Sequence, residues 1–97
     1  MSVRFRKKPV IIEAYTFDEM IAYGLNNTDN IIGTMPWLFN INGHIISHET
    51  DSSYIIETLE GDHRMTTEDM LIIGVKGEIY PCKLDIIYSF ISHFKYV

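Results

Sequence analysis

Apolar residues along this chain come in short runs separated by polar breaks that carry Gly, Asn or Asp, the rhythm of strands joined by turns. Residues 10–15 form a β-branched apolar run after Pro9 and predict a strand buried on both faces. Thr16-Phe17-Asp18-Glu19 follows with the form of a capping box, Thr16 as N-cap and Glu19 at the reciprocal position, so a helix is expected to start there. Met20, Ile21 and Tyr23 continue it, and Gly24 is expected to end it. Residues 25–34, rich in Asn, Thr and Asp, read as a loop or a frayed extension of that helix.

The clearest local signal lies in residues 36–47. Trp37-Leu38-Phe39-Asn40-Ile41 and His44-Ile45-Ile46-Ser47 flank Asn42-Gly43, the pair favoured where both turn residues need positive φ, and a tight hairpin is predicted. Residues 49–53 read as a polar loop, 54–59 as a strand, Glu60-Gly61-Asp62 as its turn and 63–65 as the returning strand. A third hairpin pairs residues 70–73 with 78–80 through Gly74-Val75-Lys76-Gly77, and Pro81, unable to donate to a ladder, is expected to stop it. Beyond Lys83, the residues Leu84, Ile87, Tyr88 and Ile91 fall at helical spacing, with Ile86 and Phe90 widening the stripe; residues 93–97 either extend that helix or form a closing strand. The fold class that follows is α+β: a small, mainly antiparallel curled sheet or partly open barrel with one or two helices, in a single domain over residues 1–97.

Charge refines the picture. The net charge of −5 conceals a basic arm over residues 1–8, whose Arg4, Arg6, Lys7 and Lys8 leave four cations against thirteen carboxylates in the rest of the chain. So acidic a body opposes nucleic-acid phosphates, whose binding demands a basic face. No window approaches the roughly 18 to 20 consecutive apolar residues of a membrane span and the first residues lack a signal-peptide core, so a cytoplasmic protein without a membrane partner is expected. The single cysteine, Cys82, forms no internal disulfide, in keeping with a reducing compartment. A domain of this length has a limited interior for its apolar content, and self-association as a homo-oligomer is expected.

Two segments carry a resemblance. Val3-Arg4-Phe5-Arg6-Lys7-Lys8-Pro9-Val10-Ile11-Ile12-Glu13-Ala14, together with Thr58-Leu59-Glu60-Gly61 and the run from Met70 through Gly74-Val75-Lys76-Gly77-Glu78-Ile79-Tyr80-Pro81-Cys82-Lys83, resembles a family of small uncharacterised proteins of tailed bacteriophages and prophages. The match covers both ends and leaves residues 24–53 without a counterpart. Where that family usually carries Pro-Gly-Asp and an aromatic, this chain reads Thr67-Glu68-Asp69-Met70 and keeps only the Asp. The resemblance implies a phage origin and a host-cell cytoplasmic setting, and brings no chemistry with it.

Candidate chemistry is sparse. His44, His48 and His63 lie near Glu49 and Asp51, but on strands residues four apart are separated by roughly 13 Å, too far to share one ion, so no metal and no cofactor is expected. Cys82, between Pro81 and Lys83 at an expected helix start, has the setting of an activated thiol without a sequence-local base. Gly74-Val75-Lys76-Gly77 lacks the Gly-Lys-Ser/Thr ending of a phosphate loop, yet its turn can present Lys76 and backbone N–H groups to an anion. Trp37, Phe39, Tyr54 and Tyr80 are expected mostly in the core. The function expected is a non-catalytic binding module for a host protein or a small anionic molecule, with Lys76, Tyr80, Lys83 and Asp85 as the ligand-binding residues. The alternatives are a small hydrolase whose site assembles only in the fold, and a structural component of a virion.

Overall fold

The computed structural model describes residues 11–84. Their order is β1 (Ile11–Thr16), α1 (Phe17–Asn26), β2 (Ile31–Ile32), β3 (Met35–Pro36), β4 (Leu38–Ile41), β5 (His44–Thr50), β6 (Ser53–Thr58), β7 (Gly61–Thr66), β8 (Asp69–Gly74) and β9 (Ile79–Lys83). All pairings are antiparallel, and the fold is α+β. The strands divide among a meander β4-β5-β6-β7, a three-stranded sheet β1-β8-β9 and the short ribbon β2-β3, and none of these sheets closes on itself. No helix among the described residues is long and apolar enough to cross a membrane.

The helix starts as its sequence dictates. Thr16 Oγ1 accepts from Glu19 N at 3.1 Å and Glu19 Oε1 accepts from Thr16 N at 2.9 Å, so both members of the capping box are made. Its buried positions, Phe17, Met20 and Gly24, follow the i, i+3, i+7 stripe that faces a core. Gly24 does not end the helix, which runs two residues further to Asn26. It is instead the point of closest approach, where the helix leans on Pro36 and on the ring of Phe39. Asn27 closes the helix, its N–H bonding to Gly24 O and its side chain to Tyr23 O.

The central hairpin matches its sequence: Asn42 (φ 53°) and Gly43 (φ 83°) make the two-residue turn between β4 and β5. Other boundaries differ. β1 is the edge of its sheet and its side chains from Glu13 to Thr16 are exposed or half-buried; the strand buried on both faces is β8, which sits between β1 and β9. The expected loop at 49–53 shrinks to Asp51-Ser52, because Glu49 and Thr50 stay in β5 and bond outward to Arg64 and Ser53. The next turn is Leu59-Glu60, one residue early. The Thr58 hydroxyl donates to Gly61 O and accepts from Glu60 N, and Gly61 (φ 115°) already begins β7. Within residues 25–34, Ile31 and Ile32 pair with Met35 and Pro36 as a two-residue ribbon too short to announce itself in sequence.

Pro81 does not stop β9. Gly74 N bonds to Glu78 O and Leu84 N to Glu68 O, and alternation of the antiparallel ladder between them puts the pair Leu71 and Pro81 at a non-hydrogen-bonded position. The proline nitrogen therefore turns away from β8 to the open side of an edge strand, where no donor is required. Cys82 stands on this strand opposite Met70. The helix expected beyond Lys83 and the tail 93–97 lie outside the described residues, as do the basic arm and Asp85.

The core joins the helix to the facing surfaces of the two larger sheets. Met20, Ile46, Tyr54, Ile56, Met65 and Leu71 are sealed from water, with Phe17, Phe39, Ile41, Ile73 and Ile79 around them. Each such side chain contributes about 1.5–3 kcal/mol of burial. Of the four aromatics expected mostly inside, Phe39 and Tyr54 are core and meet edge to face, whereas Trp37 and Tyr80 stay partly exposed.

Candidate functional site

Cross-strand register carries the inward face of the meander from Phe39 to Ile46, Ile56 and then His63, so the apolar row ends in an imidazole on the outer strand. There β7, the edge of one sheet, comes beside β9, the edge of the other, without a shared ladder. Between them lies a cavity of about 390 Å³. The meander supplies His44, Thr58, Leu59, Glu60 and His63 to its wall; the β8–β9 hairpin supplies Glu78, Ile79, Tyr80 and Pro81.

Each polar group there has a defined state. His44 Nδ1 lies 2.9 Å from the carbonyl of Glu57, which can only accept; Nδ1 carries the hydrogen and Nε2 is left for a ligand. The Thr58 hydrogen is spent on Gly61 O. Glu78 Oε1 accepts from Lys76 N at 2.9 Å, and its carboxylate lies over Gly74, where a β-carbon would stand 2.6 Å from Cδ. A side chain at 74 would therefore displace the carboxylate end of Glu78. Burial pushes the Tyr80 hydroxyl up from its ordinary pKa, with the charges of Cys82 and Glu78 adding to the shift, so it stays a hydrogen-bond donor. The side chains of His63, Glu60 and Tyr80 form no hydrogen bond among the described residues.

A second depression, of about 370 Å³, shares His63 and Pro81 with the first and adds Arg64, Thr66, Asp69 and Lys83. Its charges are already paired. Asp69, almost fully buried, accepts from Thr66 N at 2.8 Å and from the Thr66 hydroxyl at 3.3 Å, and Lys83 Nζ stands 3.4 Å from its other oxygen. Asp69 thus pins the β7–β8 turn. Arg64 forks onto Glu49 at 2.7 and 2.6 Å, and Ser53 donates to the same carboxylate at 2.8 Å. These bonds hold the Glu49 carboxyl down to a pKa of about 2, Arg64 contributing most and Ser53 next.

The residues expected to bind a ligand are therefore split. Tyr80 lines the first cavity and Lys83 the second, Lys76 sits exposed in the β8–β9 turn, and Asp85 is outside the described residues. The histidines divide likewise. His48 is stacked on Trp37, centroids 3.8 Å apart and planes within 13°, and its Nε2 meets Asp51 at 2.9 Å. Tyr54 closes this cluster from below, its buried hydroxyl donating to Pro36 O at 2.7 Å and pushed by burial to a pKa of about 12. No group of three His, Cys, Asp or Glu among the described residues is placed to hold a metal ion. The convergence of His44, Leu59, Glu60 and His63 on Tyr80 depends on β9 packing beside β7. Their side chains were visible in sequence, but their meeting was not.

Comparison of the chain with protein-family models, with curated proteins and with solved structures finds no match.

Proposed function

We propose that this chain is a non-catalytic binding module that takes its ligand in the cleft between the β6–β7 turn and β9. The observation that carries the reading is the combination of His63, Glu60 and Tyr80, polar side chains without partners among the described residues, with apolar walls from Leu59, Ile79 and Pro81. Concave, mainly apolar sites with a few convergent polar groups are where small ligands bind. On this reading the two larger sheets act as a partly open barrel whose seam, between β7 and β9, is kept from zipping by Pro81 at the edge. The phage resemblance supports reading the module as an accessory protein in the cytoplasm of an infected or lysogenic cell. Outward-facing Leu38 and Ile45, with Ile31 and Ile32 on the neighbouring ribbon, support self-association of two copies.

A hydrolase is the second reading, favoured by two histidines and two carboxylates around one cavity, with His44 Nε2 aimed as a base by the Glu57 carbonyl. It would have to use water as nucleophile, since among the described residues the only lining hydroxyl besides Tyr80, that of Thr58, is held in the turn. Screening a fragment library against isotope-labelled full-length protein tests the first reading: amide shifts should concentrate at residues 58–63 and 78–81. Hits that cluster elsewhere, or turnover of simple esters that disappears in His44→Gln, would replace it.

A further inference from the structure

The wall of the cleft is unbalanced in what it can offer. His44, with Nδ1 committed to Glu57 O, presents in its neutral form only an acceptor at Nε2. Glu60 and Glu78 can only accept while ionised, and one oxygen of Glu78 is still unused after its bond from Lys76 N. Thr58 has given its hydrogen to Gly61 O. Against these acceptors stand the Tyr80 hydroxyl and one imidazole N–H of His63. Among the described residues no Lys or Arg lines the cavity, and the cations of the adjoining depression are engaged, Lys83 with Asp69 and Arg64 with Glu49. From the described lining an anion would meet two carboxylates and no lysine or arginine.

We infer that the cleft takes a small organic cation, an ammonium or amidinium group on an apolar or aromatic body. The charged end bonds to the carboxylates of Glu60 and Glu78 and to His44 Nε2, and the body lies among Leu59, Ile79, Pro81 and the ring of Tyr80. Hydrogen bonds between a cationic donor and a carboxylate are the strong class, and a cation beside a tyrosine face gains further from the ring quadrupole. The chain's net charge of −5 acts in the same sense and raises the local concentration of cations. The inference rests on the reading of the cleft as a binding site and specifies the charge of what it holds.

Benzamidine, benzamide and benzoate share one ring and differ in charge, so the full-length labelled protein can be titrated with all three. Benzamidine should shift the amides of residues 58–63 and 78–81, bind roughly tenfold or more tightly than the other two, and weaken as salt is added. Glu60→Gln, at an exposed turn position whose carboxylate holds nothing else among the described residues, should cost benzamidine about tenfold and leave the rest of the spectrum in place. Benzoate or benzamide binding the same residues as tightly would overturn the cation assignment while leaving a binding cleft. Benzamidine shifts spread over other acidic residues and indifferent to Glu60→Gln, or no cleft shift with any of the three, would overturn it outright. In that last case the wider fragment screen decides whether the cleft binds anything.

Discussion

A β-carbon on Gly24 would lie 2.8 Å from Cε1 of Phe39, closer than real side chains pack. The helix therefore rests on β4 through its own backbone. Alanine at this position gains about 1 kcal/mol of helix propensity and meets an overpacking cost of about 1–3 kcal/mol against an aromatic ring and Pro36. Gly24→Ala should lose stability on balance in chemical denaturation. A more stable variant would show that Phe39 yields and that the contact is loose.

Asn42 and Gly43 both hold positive φ in the β4–β5 turn. A β-branched residue in that conformation is strained by about 1–2 kcal/mol, so Gly43→Val should lower the urea midpoint. Asn42→Gly should change it little. Equal losses in both would locate the effect in the Asn42 side chain instead of the backbone.

The clamp of Arg64 on Glu49 makes acid stability readable. Because the folded carboxyl titrates at about 2, below the ordinary 4.5, its contribution is present above the ordinary value and drains away as pH falls from there toward about 2. Melting temperatures of the natural chain and of Glu49→Gln should differ near neutrality and converge across that window. A constant gap down to pH 2 would mean that the clamp does not favour the ionised form.

Two lysines near the third hairpin should separate. Lys76 lies in an exposed turn and holds no ion-pair partner among the described residues, while Lys83 stands beside the nearly buried Asp69. Lys76→Ala should leave melting unchanged. Lys83→Ala should lower it, because a buried carboxylate loses its only cation among the described residues. Identical behaviour of the two variants would make the Lys83 contact incidental.

The single tryptophan reports on its own surroundings. With His48 stacked flat on Trp37, the indole is shielded on one face, so His48→Ala should shift its emission to longer wavelength. Unchanged emission would place the cover of the indole elsewhere.

Local chemistry was legible in the sequence and nonlocal geometry was not. Thr16 and Glu19 bond to each other's backbone, and Asn42-Gly43 needs only its own φ angles, so short motifs sufficed for both. Pro81 misled because the rule about proline depends on which side of a strand faces a neighbour, which β8 and not Pro81 decides. Gly24 misled because its reason is the ring of Phe39. Of the residues that line the cleft, Tyr80 is the one that the sequence singles out as a candidate, through the aromatic beside the hairpin. His44, Glu60 and His63 come from another sheet, and nothing in their spacing announces β9.

The pairing of β1 with β8 has a kinetic meaning. Thr16 lies opposite Met70, so that ladder closes across the whole of the helix and the meander. Closing so long a loop from an unfolded chain costs on the order of 3–4 kcal/mol of entropy, whereas β4 to β7 follow one another through two-residue turns. The meander is thus the natural nucleus, and the β1–β8 seam forms late. Substitutions at Ile46 or Ile56 should slow folding, and those at Ala14 or Ile72 should chiefly hasten unfolding, so the strand that opens the described fold is the last to be secured and the first to let go.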